Sequence, residues 1–75
     1  MHLNFDTPEG AEAAAQCLRE RLRDVEDADV EVAEVFVDTP AGRVVGYRVA
    51  WTPGRYKDMV EAKRAGGYGR EELRK

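Results

Sequence analysis

Between Val30 and Thr52 the apolar residues fall largely on alternate positions, the two-residue period of a strand, and Thr39-Pro40-Ala41-Gly42 interrupts them midway. Pro40 suits the second position of a type I turn because its ring presets φ, and Gly42 accepts the left-handed conformation that follows. This predicts a hairpin with a three-residue loop closed by a glycine bulge, pairing Thr39 with Arg43. Counting outward, Val37 faces Val45, Val35 faces Tyr47, Ala33 faces Val49 and Glu31 faces Trp51. The other side pairs Phe36 with Gly46, Glu34 with Arg48 and Val32 with Ala50. Opposite charges then meet at Glu34–Arg48, and the Phe36 ring covers a residue with no side chain.

Upstream, Leu3 and Phe5 alternate with His2 and Asn4, predicting a short first strand with the two apolar residues inward. The pattern changes at Asp6-Thr7-Pro8-Glu9. Thr7 is a helix cap, Pro8 fits the first helical position where its missing N–H costs nothing, and Glu9 favours the positive end of the dipole. From Pro8 to about Arg23, Ala11, Ala14, Ala15, Leu18, Leu22 and Val25 form one stripe, with Cys17 at its flank. Half of that stripe is alanine, so the helix can approach its neighbours closely. After the hairpin, Thr52-Pro53-Gly54 predicts a second, shorter helix over Arg55 to Ala65, with Tyr56, Met59, Val60 and the stem of Lys63 on one face. Gly66-Gly67 ends it, and Gly66 suits the left-handed cap.

The expected fold is a single small α+β domain over residues 1–67, ordered β-α-β-β-α, with a polar tail over 68–75. A three-stranded sheet containing the antiparallel hairpin packs against the first helix. Leu3, Phe5, Ala33, Val35, Val37, Val45, Tyr47, Val49 and Trp51 are expected on the covered sheet face. The second face holds Val32, Phe36, Val44 and Ala50 beside Glu34 and Arg48. Either the second helix or the tail covers it, or it is an interface.

The net charge of −3 conceals a split. Residues 1–42 carry 11 acidic and 3 basic side chains, whereas residues 43–75 carry 4 acidic and 9 basic. Cys17 is the only cysteine, which removes an internal disulfide and any cysteine-based metal cluster and favours a reducing, cytoplasmic setting. No apolar run reaches the length of a membrane span and no signal-peptide pattern opens the chain, so no membrane partner is expected.

Candidate chemistry is sparse. There is one histidine, His2, and no Ser/His/Asp or Cys/His set. The acidic run Asp24 to Asp29 lacks the spacing, central glycine and closing glutamate of a calcium loop. Gly66-Gly67-Tyr68-Gly69 does not stand between a strand and a helix, as a phosphate loop must. No catalytic residue, cofactor or metal is expected.

What remains is surface. The leading expectation is a small non-enzymatic protein-binding regulator or inhibitor, for example a phage- or mobile-element-type blocker of a host nucleic-acid-binding complex. Its acidic pole, Glu20, Asp24, Glu26, Asp27, Asp29 and Glu31, would occupy a basic groove, and Val32, Glu34, Phe36, Val44 and Arg48 would form a second contact face. The first alternative is an RNA or single-stranded DNA module using Arg55, Tyr56, Lys57, Lys63, Arg64, Tyr68 and Arg70, where cations meet phosphates and rings stack on bases. The second is a homodimer.

Overall fold

A computed structural model of the protein describes residues 1–67; the expected polar tail, with Tyr68 and Arg70, lies outside the described residues. The elements are β1 (His2–Phe5), α1 (Pro8–Arg21), β2 (Asp29–Thr39), β3 (Gly42–Thr52) and α2 (Tyr56–Ala65). The order is the predicted β-α-β-β-α. The three strands form one antiparallel sheet in the order β1-β3-β2, so β3 is central and β1 and β2 are its edges.

Local chemistry explains where α1 starts. The Gly10 backbone N–H donates to the Thr7 hydroxyl at 3.1 Å, Pro8 opens the helix, and Glu9 stands in its first turn. The predicted stripe is the buried one: Ala11, Ala14, Ala15, Leu18 and Leu22 meet Leu3, Phe5, Val49 and Trp51. Burying these aliphatic and aromatic groups is the main favourable contribution to folding, at roughly 1.5–3 kcal/mol for each large side chain.

The second helix runs antiparallel to the first. Arg21 at the end of α1 meets Asp58 near the start of α2, and Gly10 near the start of α1 lies close to the Gly66 carbonyl. The face of α2 differs from the expected one. Asp58 and Ala62 are buried with Met59 partly covered, whereas Tyr56 is exposed. The shift follows from an ion pair: Asp58 turns inward to reach Arg21, which rotates the helix away from a face through Tyr56 and Lys63. Neither the hydroxyl of Thr52 nor any other side chain caps α2; Arg55 occupies that position. The left-handed glycine is Gly67 (φ 101°), not Gly66 (φ −82°).

The hairpin exists, but its register is one residue away from that expected. Thr39 pairs with Gly42 and Asp38 with Arg43, so the loop is the two residues Pro40 and Ala41. Gly42 does take positive φ (124°), yet no bulge follows it. Two contacts hold this closure: the Thr39 hydroxyl donates to the Gly42 carbonyl at 2.6 Å, and Arg43 pairs with Asp38 at 3.0 Å. Every later partner changes. Glu34 lies opposite Tyr47, Ala33 opposite Arg48, Val35 opposite Gly46 and Phe36 opposite Val45. The predicted Glu34–Arg48 pair is therefore absent, and Arg48 donates instead to the Asn4 side-chain oxygen at 3.3 Å.

Because directly opposed residues share a face, the slip inverts β2 while leaving β3 as expected. Tyr47, Val49 and Trp51 face the helices with Val30, Val32, Glu34 and Phe36 beside them. Ala33, Val35 and Val37 turn to the opposite face with Val44, Gly46 and Arg48. The expected inward placement of Ala33, Val35 and Val37 is overturned.

Candidate functional site

Strand β1 pairs β3 only over Tyr47–Ala50, whereas β2 pairs it over Gly42–Thr52. The hairpin therefore runs on past β1 as a two-stranded arm of about 15 Å, given ~3.3 Å of rise per residue. Its apolar side chains are open on both faces. Phe36 is 74 % exposed, with Val45 opposite it on the helix-side face, and Val37 and Val44 are exposed on the other. A bare two-stranded ribbon gains little in water, so an arm with apolar residues on both faces is unusual for a surface that meets only solvent.

The proposed second contact face does not assemble as one surface. Val32, Glu34 and Phe36 lie on the helix side of the sheet, and Val44 and Arg48 on the other. Helix α2 covers neither set: it packs on α1 and over Phe5, whose ring approaches Gly66. Along β2 the helix-side residues Val32, Glu34 and Phe36 nevertheless stay exposed, whereas Val30 is packed against the core.

The six residues of the acidic set are spread over α1, its connection and β2, and Asp29 and Glu31, paired with Thr52 and Ala50, lie on the sheet face away from the helices. Glu20 lies in the last turns of α1, Asp24, Glu26 and Asp27 in the connection, and Asp29 and Glu31 at the start of β2; all six side chains are exposed. Asp27 stands at φ 63°, a left-handed turn position that aspartate tolerates better than most residues. No salt bridge among the described residues engages any of the six, or Glu34. Beside them a shallow groove of about 270 Å³ runs between the end of α1 and β2, with Leu22, Val25, Ala28 and Val30 inside it and Arg19, Arg23 and Asp29 along it.

The basic set is partly committed elsewhere. Arg55 pairs with Asp58 at 2.6 Å and Arg64 with Glu61 at 3.4 Å, and Lys63 is half-buried. Tyr56 and Lys57 are exposed on α2. Sequence reasoning missed the most tightly held polar cluster, the fork in which buried Asp58 accepts from Arg21 at 2.8 Å and Arg55 at 2.6 Å. The i,i+3 spacing of Arg55 and Asp58 was the available signal; Arg21 is brought in only by the antiparallel helices. Burial pushes the Asp58 carboxyl up, but the two guanidiniums more than reverse this and hold it below its ordinary value. The fork joins the helix ends and is structural in position.

Burial pushes the Cys17 thiol up and so opposes the thiolate a nucleophile requires, an effect that Arg21 offsets only in part. Among the described residues no three His, Cys, Asp or Glu side chains stand where they would hold a metal ion, and no helix is long and apolar enough to cross a membrane. Comparison of the chain with models of known protein families, with curated proteins and with solved structures found no match.

Proposed function

We propose that the protein is a non-enzymatic binding module that regulates or inhibits a protein partner through its surface. The observation that carries this reading is the hairpin arm, where Phe36, Val37, Val44 and Val45 are exposed on a ribbon that extends past the third strand. Covering Phe36 alone would contribute roughly 1.5–3 kcal/mol to association. The acidic residues add orientation. Carboxylates from Glu20 to Glu31 steer a positively charged partner and repel polyanions, which makes a protein with a basic surface a better match than nucleic acid.

The test is affinity capture by the tagged full-length chain from nuclease-treated and untreated lysate of its source, alongside a Phe36→Glu variant. The expected result is a protein that survives nuclease treatment and is lost with Phe36→Glu, while the thermal midpoint of the variant stays that of the parent. Recovery of RNA or DNA alone, lost on nuclease treatment, overturns the reading and makes the basic half the working surface.

A further inference from the structure

The backbone hydrogen bonds of the sheet locate a second feature. The Trp51 N–H donates to the Met1 carbonyl at 3.0 Å, and the Met1 ammonium donates to the Trp51 carbonyl at 3.2 Å. Trp51 thus directs both its backbone groups toward the β1 side, away from its β2 partner Val30. Hydrogen-bonded and non-bonded pairs alternate along an antiparallel ladder. It follows that Val30, Val32, Glu34, Phe36 and Asp38 point their N–H and C=O groups outward from the sheet edge. Their side chains are the ones on the helix side, and Val30 lines the groove.

Exposed edge strands commonly carry proline, lysine or a bulge that blocks further pairing. Between Asp29 and Thr39, β2 has none of these, and its register with β3 is unbroken over all 11 residues. Its only charges are the carboxylates Asp29, Glu31, Glu34 and Asp38. Those carboxylates oppose a second copy of the chain, because edge-to-edge pairing would set four acidic side chains beside four more with no cation on either strand. They favour a strand that brings cations.

We propose that the outer edge of β2 receives an extended segment of a partner protein as a fourth strand, mostly apolar with lysine or arginine at two positions three residues apart, opposite Glu31 and Glu34; this rests on the protein-binding reading above and names the chemistry of the partner. The backbone groups of Val30, Val32, Glu34 and Phe36 supply the hydrogen bonds, and the side-chain rows supply selectivity. On the helix side, an apolar residue beside Val30 enters the groove over Leu22, Val25 and Ala28, a cation meets Glu34, and a further apolar residue covers Phe36. On the opposite side, a cation meets Glu31 and small apolar residues lie along Ala33 and Val35.

The test presents the full-length chain to a displayed library of random nine-residue peptides and measures the enriched peptides by fluorescence anisotropy. The expected result is enrichment of peptides that carry Lys or Arg at two positions three residues apart among β-branched or aromatic residues. Their affinity falls at least tenfold with Val32→Pro, which removes one outward N–H, and with Glu34→Lys. Should Val32→Pro unfold the sheet, the double reversal Glu31→Lys/Glu34→Lys serves instead; both side chains are exposed, and the selected peptides must switch to acidic ones. Enrichment of helix-patterned or acidic peptides by the parent chain, absence of any enrichment, or affinity unchanged in both edge variants overturns the edge proposal. If the protein captured in the nuclease-treated lysate is lost with Phe36→Glu but kept with the edge variants, the edge proposal falls and the binding-module reading stands. If no protein is captured at all, both fall.

Discussion

Asp58 is the residue on which charge and fold meet most directly. Its side chain is fully buried, and it is held by Arg21 and Arg55, each still about a third exposed. Removing the acceptor leaves two facing guanidiniums, but water reaches both, so the cost is smaller than for a fully buried triad. Asp58→Asn should lower stability by about 2 kcal/mol in urea unfolding, followed by the fluorescence of buried Trp51. The pH dependence has a definite sign. With the native carboxyl held below its unfolded value, the folded state binds fewer protons in the interval between the two, and stability rises with pH there. The contribution is complete at neutral pH. It begins to fade near the ordinary aspartate value of about 4 and is lost as pH falls through the lower native one. The parent should therefore converge on Asp58→Asn in acid, and a gap that persists unchanged below the carboxylate range would show that the fork is not what separates them.

The glycines after α2 show how far single residues can be read. Gly66-Gly67 announces a helix end, but the role of each depends on Phe5 at the other end of the chain. A methyl group on Gly66 would overlap the buried Phe5 ring, whereas Gly67 is the residue at positive φ. Gly66→Ala should destabilise by about 1–3 kcal/mol through overpacking. Phe5→Leu in the same chain should recover part of that loss, since the shorter side chain vacates the space. Equal losses with and without Phe5→Leu would rule out the steric cause.

At the scale of elements, α1 was legible because its signals are local: a capping threonine, a proline at the first position and a stripe at helical spacing. The existence, ends and turn residues of the hairpin were legible for the same reason. Its register was not. Both Thr39–Arg43 and Thr39–Gly42 closures leave β3 facing the core correctly, and the choice between them inverts only β2. Valines stand at Val30, Val32, Val35 and Val37, on both faces of that strand, so alternation alone could not decide. Tertiary contacts decide it: Arg48 is drawn to Asn4 on β1, and the tip closes through Thr39 and the Asp38–Arg43 pair. Amide exchange distinguishes the two arrangements. The N–H groups of Val44 and Gly46 should be protected, while those of Arg43 and Val45, which point to the side that β1 does not reach, exchange close to solvent rates. A double-mutant cycle should add to this, with coupling of a few tenths of a kcal/mol between the exposed Asp38 and Arg43 and none between Glu34 and Arg48. The reverse protection pattern would restore the one-residue-shifted hairpin.

The whole molecule divides into a packed body and an open arm, and the sequence marks that division only weakly. Leu18, Val49 and Phe36 look alike as apolar residues, yet the first two are fully buried and Phe36 is largely exposed. The difference arises because β1 is short: it covers β3 only as far as Tyr47, and no element among the described residues extends the sheet or the helices over the remaining arm. Stability and surface function should accordingly separate. Leu18→Ala or Val49→Ala removes core packing and should cost about 2–4 kcal/mol, with the larger loss at Leu18. The pair Phe36→Thr/Val45→Thr keeps residues suited to a strand while removing most of the exposed apolar surface of the helix-side tip, and should shift stability by no more than about 0.5 kcal/mol. The same pair should abolish retention of the protein captured from nuclease-treated lysate. A large fall in its urea midpoint would mean that these side chains pack within the fold, leaving the arm no spare apolar surface to offer a partner.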